Sequence, residues 1–242
     1  ERDCSIQRRF QKIIEESPAP QIEKSIINEM AESAVNFVTN QKYEGAGTIE
    51  FIYDIDNKKF YFLEMNTRIQ VEHPVTEMIT NSDLVSMQIQ FALNLNLESI
   101  EQNKINKSGH AIECRLYAED PSKNFLPSPG KIEKLKIPNT NFTNIRLDIG
   151  VDEGDEISFY YDPMIAKIIS KGLNRTECIN NMIRYLNEIE IEGINTNKSF
   201  LISVLQNNSF EKAIYNTKFV ENNLSLFIEK KQNTKKIENA VL

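Results

Sequence analysis

The chain of 242 residues has no long apolar run and few positive charges. No stretch approaches the roughly 18 uninterrupted apolar residues of a membrane span, and the first residues show no signal-peptide core. Acidic side chains outnumber basic ones by 35 to 28, for a net charge of −7, which would repel a phosphate backbone. We therefore expect no membrane insertion, no nucleic-acid binding, and a cytoplasmic or organelle-matrix location.

Cysteine and histidine are also scarce. The three cysteines, at positions 4, 114 and 178, are far apart and form no C-x-x-C pair, which is typical of a reducing compartment. The imidazoles are His73 and His110, too few to favour a structural zinc site. Any metal is therefore expected to be a hard cation held by oxygen atoms.

The first hundred residues mix helical and strand patterns. Residues 1–20 predict a polar loop around a short strand at 12–15, and residues 21–41 predict an amphipathic helix that faces a core. After an irregular stretch at 67–76, a further helix is expected from about Ser82. Its buried stripe would contain Val85, Ile89, Ala92 and Leu93.

From Gly109 onward, strands and turns dominate, and two helices capped near Asn174 and Thr196 follow. The fold class is therefore α+β. A soft boundary near residue 106 gives one domain at 1–106, a second at 107–222, and a polar tail or linker at 223–242. Because the chain starts without an initiator methionine or a helix-start pattern, we expect it to be part of a longer protein.

Two runs of β-branched and aromatic residues, 48–53 and 60–66, predict an antiparallel hairpin. Side chains alternate across a strand, so the register decides whether Glu50 and Glu64 share a face. A loop with an odd number of residues, such as 56–58, places Glu50 opposite Glu64, with Asn66 on the same face.

Two directly opposed carboxylates repel each other unless a positive charge lies between them. The segment around Glu64 is apolar enough to predict burial on both faces, and a buried carboxylate needs a partner. A Mg²⁺ ion held by Glu50, Glu64 and Asn66, together with substrate phosphates, would supply that partner. The alternative is that these glutamates point to water from a solvated face.

The next loop brings a cation, an amide and a carboxylate together within five residues, as Arg68, Gln70 and Glu72. A guanidinium can hold bicarbonate through its planar fork, and the backbone of Gln70 or Val71 can add hydrogen bonds. Glu72 can then take the bicarbonate proton. The alternative is a solvated loop with a chance ion pair. His73, beside Pro74, is expected to be structural.

Several segments resemble the biotin carboxylase component of biotin-dependent carboxylases, over about residues 1–220. They are Glu-Arg-Asp-Cys-Ser-Ile-Gln-Arg-Arg at 1–9, Gly-Ala-Gly-Thr-Ile-Glu-Phe at 45–51, Glu-Met-Asn-Thr-Arg-Ile-Gln-Val-Glu-His-Pro-Val-Thr-Glu at 64–77, Ala-Glu-Asp-Pro at 118–121 and Tyr-Tyr-Asp-Pro-Met-Ile-Ala-Lys at 160–167. The resemblance implies the later half of an ATP-grasp domain, followed by the small α+β biotin carboxylase C-terminal domain.

For the nucleotide site, the resemblance implies that Glu50, Glu64 and Asn66 hold Mg²⁺ or Mn²⁺, and through it ATP. Gln7 would lie near the nucleotide. Phe10 stands where many members have a histidine that approaches ATP, so no polar role is assigned to it. The family's earlier domain and its Gly-rich lid would precede Glu1, so the chain alone is expected not to turn over.

For bicarbonate and biotin, the resemblance implies that Lys12, Arg68 and Val71 bind bicarbonate and that Glu72 is the general base. Arg146 would stabilise the biotin enolate; the alternative is a surface arginine paired with Asp148. The implied partners are a biotin carboxyl carrier domain, a carboxyltransferase subunit and a second copy of the biotin carboxylase in a homodimer.

Within the family, the segment at 64–77 is unlike pyruvate carboxylases. The segments at 154–158 and 161–167 resemble the α subunits of methylcrotonyl-CoA or propionyl-CoA carboxylases more than the free-standing subunit of acetyl-CoA carboxylase. Two other functions stay open. One is another ATP-grasp ligase, such as a carbamoyl-phosphate synthetase or an amino-acid ligase, and dependence on biotin separates it from a biotin carboxylase. The other is a truncated, non-catalytic dimerisation or interaction domain.

Overall fold

The structure is a computed structural model that describes residues 1–95, 102–138 and 142–228. Its elements in chain order are β1 (Asp3–Arg8), β2 (Gln11–Ser17), α1 (Lys24–Asn40), β3 (Thr48–Asp54), β4 (Lys59–Asn66), α2 (His73–Thr80), α3 (Leu84–Ala92), β5 (His110–Tyr117), β6 (Glu119–Asp120), β7 (Leu126–Pro127), β8 (Gly130–Lys131), β9 (Lys134–Lys136), β10 (Ile145–Ile149), β11 (Glu156–Ile157), β12 (Met164–Gly172), α4 (Arg175–Glu188), β13 (Glu190–Glu192), α5 (Lys198–Leu205), α6 (Asn208–Glu211) and α7 (Phe219–Asn222). None of the described helices is both long and apolar enough to cross a membrane.

Contacts divide the chain into two compact units. The N-terminal unit contains Glu1–Arg2 and Ser17–Ser108, and the C-terminal unit contains Asp3–Glu16 and the chain from Gly109 onward. The division after residue 108 is close to the predicted limit at 106. The segment 3–16, however, belongs to the unit that begins at Gly109, which the single predicted boundary did not anticipate.

The C-terminal unit is built on a five-stranded sheet with the order β1-β2-β5-β12-β10. Strands β5 and β12 pair antiparallel in its centre, and β10 forms one edge. Alternate residues of β5, including Ile112 and Cys114, face a core completed by α4 and α5. The residues that these two helices bury in the core are Ile179, Met182, Leu186, Phe200, Leu201, Val204 and Leu205, and Ile183 is partly buried against it.

The prediction for the start of the chain was wrong. Residues 1–20 contain two paired strands, β1 and β2, in place of a loop around one short strand. They form strands because β2 pairs with β5 in the sheet, a partner about a hundred residues away that no local pattern reveals. At the other end, where a linker or a frayed helix was expected after about Asn222, 224–228 is helical and Phe227 is buried. The part at 229–242 lies outside the described residues.

In the N-terminal unit, the predicted elements are present but their apolar faces are more exposed than expected. The helix predicted at 21–41 is α1, which has no fully buried residue. Helix α3 leaves the predicted stripe open, with Val85, Ile89 and Leu93 at 43%, 57% and 64% exposure. Periodicity identifies a face that can be buried, whereas burial also requires another surface to cover it.

Candidate functional site

Strands β3 and β4 form the predicted antiparallel hairpin, and Glu50 pairs directly with Glu64 as expected. The reason given for that register was wrong. The connection has four residues, 55–58, and near the turn Asp54 pairs with Lys59 and Phe51 with Phe62. The register shifts by one residue at Leu63, which has no opposite partner. This β-bulge, and not an odd loop, brings the two glutamates opposite each other.

The side chain of Asn66 lies on the same face as the two glutamates, as predicted. Its Nδ2 atom donates to Oε1 of Glu50 and to Oε1 of Glu64, at 3.1 Å each. The two carboxylate oxygens are therefore separated by no more than twice that distance. Gln70 Nε2 donates to the same Oε1 atom of Glu50 at 2.6 Å. The neutral amides of Asn66 and Gln70 thus bind the two carboxylates and hold them close to each other.

Strand β4 is not buried on both faces, which corrects another expectation. Tyr61, Phe62 and Leu63 are each more than half exposed, and Glu64 is exposed as well. Phe62 packs against Phe37 of α1 with ring centroids 5.3 Å apart. The apolar composition of β4 predicted burial, but the described residues do not cover these side chains. As a result, the carboxylate pair is accessible to a small ligand.

The loop after β4 joins this carboxylate pair to the start of α2. Arg68 Nη2 donates to Asn66 Oδ1 at 3.3 Å, and its Nη1 donates to the carbonyl of Ile69 at 3.0 Å. Gln70 and Glu72 are 5% and 2% exposed. Glu72 is the N-cap residue of α2, a helix that the sequence patterns missed. The structure therefore brings Glu50, Glu64, Asn66, Arg68 and Gln70 into one connected group.

The backbone of this turn is held by the imidazole of His73. Its Nδ1 atom lies 2.8 Å from the Gln70 carbonyl oxygen, and its Nε2 atom lies 3.8 Å from Glu77. Glu77 in turn accepts a hydrogen bond from the backbone of Leu84 at 2.6 Å. The structural role expected for His73 agrees with these contacts.

The divalent metal implied by the resemblance fits the carboxylate pair. Among the described residues, no cluster of three or more histidine, cysteine, aspartate or glutamate side chains could hold a metal. A site with two carboxylates, one amide oxygen and substrate phosphates is, however, typical of Mg²⁺. The two opposed carboxylates favour a bound cation, because the amides that donate to them are neutral and do not compensate their charge. Ligation by Asn66 would require its amide to rotate, because its nitrogen faces the glutamates.

Gln7 and Lys12 lie in the C-terminal unit, where they are opposite each other in the β1–β2 pair. They therefore share one face of that hairpin. Phe10 is in the intervening turn with φ of 65° and 95% exposure. The proposed contacts of Gln7 with a nucleotide and of Lys12 with bicarbonate stay predictions.

Arg146 is on the edge strand β10, where its fork binds a carboxylate of the same strand. Its Nε and Nη2 atoms donate to the two oxygens of Asp148 at 2.7 and 2.9 Å. Lys167 lies 3.3 Å from the same carboxylate. Burial acts to raise the pKa of Asp148, but the hydrogen bond from Arg146 and the charge of Lys167 outweigh it and lower that pKa. The pairing matches the alternative for Arg146, and its role with biotin stays a prediction.

Two arginines that the sequence patterns did not single out are held by specific partners. Arg2 donates to Gln70 Oε1 at 2.8 Å and to Thr48 Oγ1 at 3.1 Å. Arg115 is 8% exposed and donates through Nε to Glu15 at 2.7 Å. A charge inside the apolar run of β5 could have indicated Arg115. Arg2 has no local signal, because its partners are 46 and 68 residues away.

Two family models match most of the chain. The family described as Biotin carboxylase C-terminal domain matches residues 113–222, and the Carbamoyl-phosphate synthase L chain, ATP binding domain matches residues 1–100. Biotin carboxylase 1 of Bacillus subtilis is 49% identical over 91% of this chain and 48% of its own length. The mitochondrial methylcrotonoyl-CoA carboxylase subunit alpha of Dictyostelium discoideum is 46% identical over 91% of this chain and 31% of its own.

Among solved structures, the chain is similar to the biotin carboxylase domain dimer of the 2-oxoglutarate carboxylase of Hydrogenobacter thermophilus, in complex with MgADP, ADP and bicarbonate. The TM-score is 0.89 at 39% identity, over 93% of this chain and 49% of that one. The chain thus spans about half the length of the curated biotin carboxylase that it matches. By sequence and by fold, the chain therefore contains the later part of an ATP-grasp domain followed by a biotin carboxylase C-terminal domain, and it is similar to biotin carboxylases over that region.

Proposed function

We propose that this chain carries out part of the ATP- and bicarbonate-dependent carboxylation of biotin, the first half-reaction of an acyl-CoA carboxylase. One observation carries the proposal. The opposed carboxylates of Glu50 and Glu64 are connected through Asn66 to Arg68, and through Gln70 to the turn that precedes Glu72. A cation site and an oxyanion site so close together suit phosphoryl transfer from ATP to a small acid.

In this proposal, Glu50, Glu64 and Asn66 hold Mg²⁺ or Mn²⁺ and thereby orient ATP, and Gln7 lies near the nucleotide. The bound cation would neutralise charge on the phosphate oxygens. The two glutamates contribute negative charge at one fixed point of the hairpin, because the bulge at Leu63 sets their register. The position of the γ-phosphate then depends on a rigid sheet and not on a loop.

Bicarbonate would bind to Arg68 and Lys12, with further hydrogen bonds from Gln70 and Val71. Arg68 can hold two of its oxygens through the planar fork. Glu72 takes the remaining proton, because bicarbonate is a poor nucleophile until it is deprotonated. The resulting dianion attacks the γ-phosphate, a P–O bond forms to bicarbonate oxygen, and ADP leaves. The product is carboxyphosphate.

Carboxyphosphate would then release CO₂, and the phosphate that remains would take the proton from N1 of biotin. Negative charge develops on the ureido oxygen as the proton leaves, and N1 attacks CO₂. A fixed guanidinium such as Arg146 stabilises that charge most in the transition state. Arg146 would have to release Asp148 before it could bind the biotin oxygen, because its guanidinium group donates to both oxygens of Asp148.

The proposed partners are a biotin carboxyl carrier domain, a carboxyltransferase subunit and a second copy of the biotin carboxylase. The Hydrogenobacter domain is described as a dimer, which supports the last of these. We propose a location in the cytoplasm or an organelle matrix, and the Dictyostelium relative is described as mitochondrial. The acyl-CoA acceptor would be chosen by the carboxyltransferase, and methylcrotonyl-CoA and propionyl-CoA are the first candidates to test.

The proposal can be tested in a chimeric protein in which this chain follows the half of the Bacillus subtilis biotin carboxylase 1 that it does not match. We call this protein the completed enzyme. It should cleave ATP only with bicarbonate present and should carboxylate free biotin, whereas the chain alone should do neither. Bicarbonate-dependent ATP cleavage that is indifferent to biotin would instead favour another ATP-grasp ligase.

Variants of the completed enzyme separate the early and late steps. Glu72→Gln should lower bicarbonate-dependent ATP cleavage and biotin carboxylation together, by about 10²-fold or more. Arg146→Gln should spare more of the ATP cleavage than of the carboxylation. Arg184→Gln, at an exposed arginine of α4, is the control and should change neither activity. If Arg146→Gln carboxylates biotin at the parent rate, the late role of Arg146 is wrong.

A further inference from the structure

Gln70 contacts three other residues of the N-terminal unit, two through its side chain and one through its backbone. Its Nε2 atom donates to Glu50 at 2.6 Å, and its Oε1 atom accepts from Arg2 at 2.8 Å. The backbone carbonyl oxygen of Gln70 lies 2.8 Å from Nδ1 of His73. With only 5% of its surface exposed, Gln70 has little water to replace any of these partners.

Arg2 determines which end of the Gln70 amide faces Glu50. A guanidinium only donates hydrogen bonds, so the amide must present its oxygen to Arg2 and its nitrogen to the carboxylate. Arg2 also donates to Thr48 at 3.1 Å, and Thr48 pairs with Asn66 in the hairpin. One guanidinium group therefore contacts both the strand that carries Glu50 and the turn that leads to Glu72.

We propose that Arg2 is a positioning residue for this site. By holding the Gln70 amide on Glu50, it couples the geometry of the metal carboxylates to that of the oxyanion-binding turn. This inference rests on the proposed function, which assigns the cation to Glu50 and Glu64 and bicarbonate to the turn. The proposed function assigns Arg2 to neither ligand, and its contacts are with Gln70 and Thr48, so it acts through Gln70 and not in the chemical step.

Removal of Arg2 would leave the buried Oε1 atom of Gln70 without its cationic donor. The Gln70 amide would then be free to leave Glu50, which loosens a metal ligand and the turn at the same time. A single hydrogen bond of this kind changes an equilibrium by roughly 3- to 10-fold. We therefore expect two constants to change together: the dissociation constant of the divalent cation and the Michaelis constant for bicarbonate.

The test uses the completed enzyme and four variants: Arg2→Met, Arg2→Lys, Gln70→Leu and the double variant Arg2→Met/Gln70→Leu. Arg184→Met is the matched control, because Arg184 is an exposed arginine of α4. Mn²⁺ is the probe, and its dissociation constant in the presence of ATP is measured by electron paramagnetic resonance. The Michaelis constant for bicarbonate and the melting temperature complete the measurements.

We expect Arg2→Met to weaken Mn²⁺ binding and to raise the Michaelis constant for bicarbonate by roughly 3- to 10-fold each, with a smaller change in kcat. Arg2→Lys keeps a donor and should show smaller changes in the same direction, so it carries the test if Arg2→Met does not fold. The double variant should be no worse than Gln70→Leu, because residues that act through one contact are not additive.

Three results would overturn the inference: unchanged constants in Arg2→Met, a lower melting temperature without a change in either constant, or additive effects in the double variant. Failure of the proposed function is distinguishable. In that case Glu64→Gln would bind Mn²⁺ with unchanged affinity, whatever the Arg2 variants do.

Discussion

Among the described residues, two pairs of strand glutamates have different surroundings. Glu15 and Glu16 are neighbours on β2 of the C-terminal unit, and both are buried. Glu50 and Glu64 come from opposite strands of the β3–β4 hairpin in the N-terminal unit, and they are partly or fully exposed. Neighbours on a strand point to opposite faces, whereas opposed residues share a face.

The buried pair is matched by protein cations. Glu15 binds Arg115, and Glu16 accepts two hydrogen bonds from Arg175, at 2.7 and 2.9 Å, and one from Tyr215. His110 Nε2 lies 2.6 Å from Glu16 as well. Burial acts to raise the pKa of Glu16, but the hydrogen bonds from His110, Arg175 and Tyr215 outweigh it and hold that pKa below its usual value.

The pair in the N-terminal unit is gathered by the amides of Asn66 and Gln70. A neutral amide stabilises a carboxylate less than a guanidinium does. The exposed pair therefore still favours an added cation, while the charge of the buried pair is already compensated within the fold. The comparison teaches that partners and exposure, and not the number of carboxylates, distinguish a structural glutamate from a candidate metal ligand.

The largest effect on stability should come from removing the charge of Glu16, one of the two buried glutamates. Glu16→Gln leaves the guanidinium of Arg175 without its carboxylate, which should lower the free energy of unfolding of the C-terminal unit by about 3 kcal/mol or more. Hydrogen exchange of β2 and β5 peptides in urea measures it. Glu188→Gln, at an exposed position of α4, is the control and should change little. Equal losses for both would mean that the buried network is not stabilising.

The exposed pair should show the opposite behaviour. In the completed enzyme, Glu64→Gln should lower ATP turnover by about 100-fold at limiting Mg²⁺ because a metal ligand is lost. The free energy of unfolding should change by only about 0.5 kcal/mol, as for most exposed substitutions. Kinetics over a range of Mg²⁺ concentrations, beside urea unfolding, test both statements. Unchanged kinetics at every Mg²⁺ concentration would contradict the metal assignment.

A fall in pH should lower the free energy of unfolding because it protonates Glu16. The lowered pKa of Glu16 means that its ionisation stabilises the fold above the ordinary glutamate pKa of about 4.3, and this contribution is lost as the pH falls through the lower pKa of the folded state. Over that window the slope approaches about 1.4 kcal/mol per pH unit. Urea unfolding followed by circular dichroism from pH 6 downward, at about half-unit steps, should show a flatter dependence for Glu16→Gln.

The smallest effect is expected at a third kind of glutamate, which is exposed and paired with lysines. Hydrogen bonds from Lys134 and Lys136 lower the pKa of Glu190 to about 2. Water screens such surface pairs, however, so their contribution to stability is small. Glu190→Gln should leave both the melting temperature and ATP turnover unchanged within error. A measurable decrease in the melting temperature or in ATP turnover would show that exposed ion pairs contribute more to stability or activity than this prediction allows.

The candidate site was largely predictable because its residues are close together in the sequence. Glu64, Asn66, Arg68 and Gln70 follow one another within seven residues, so one strand and one turn bring them together. The pairing of Glu50 with Glu64 was predicted correctly but for the wrong reason. A bulge depends on side-chain packing along both strands, and loop composition does not reveal it.

The sequence by itself determined the α+β class, the principal helices, the central strands of the C-terminal sheet and the chemical character of the site, because periodicity and motif spacing are local properties. The tertiary structure decided which apolar faces are covered, where residues 3–16 belong, and which partners hold Arg2, Arg115 and Glu16. The last two of these depend on contacts between residues 46 or more positions apart. Such contacts form only when the chain has folded, and no short pattern along the sequence encodes them.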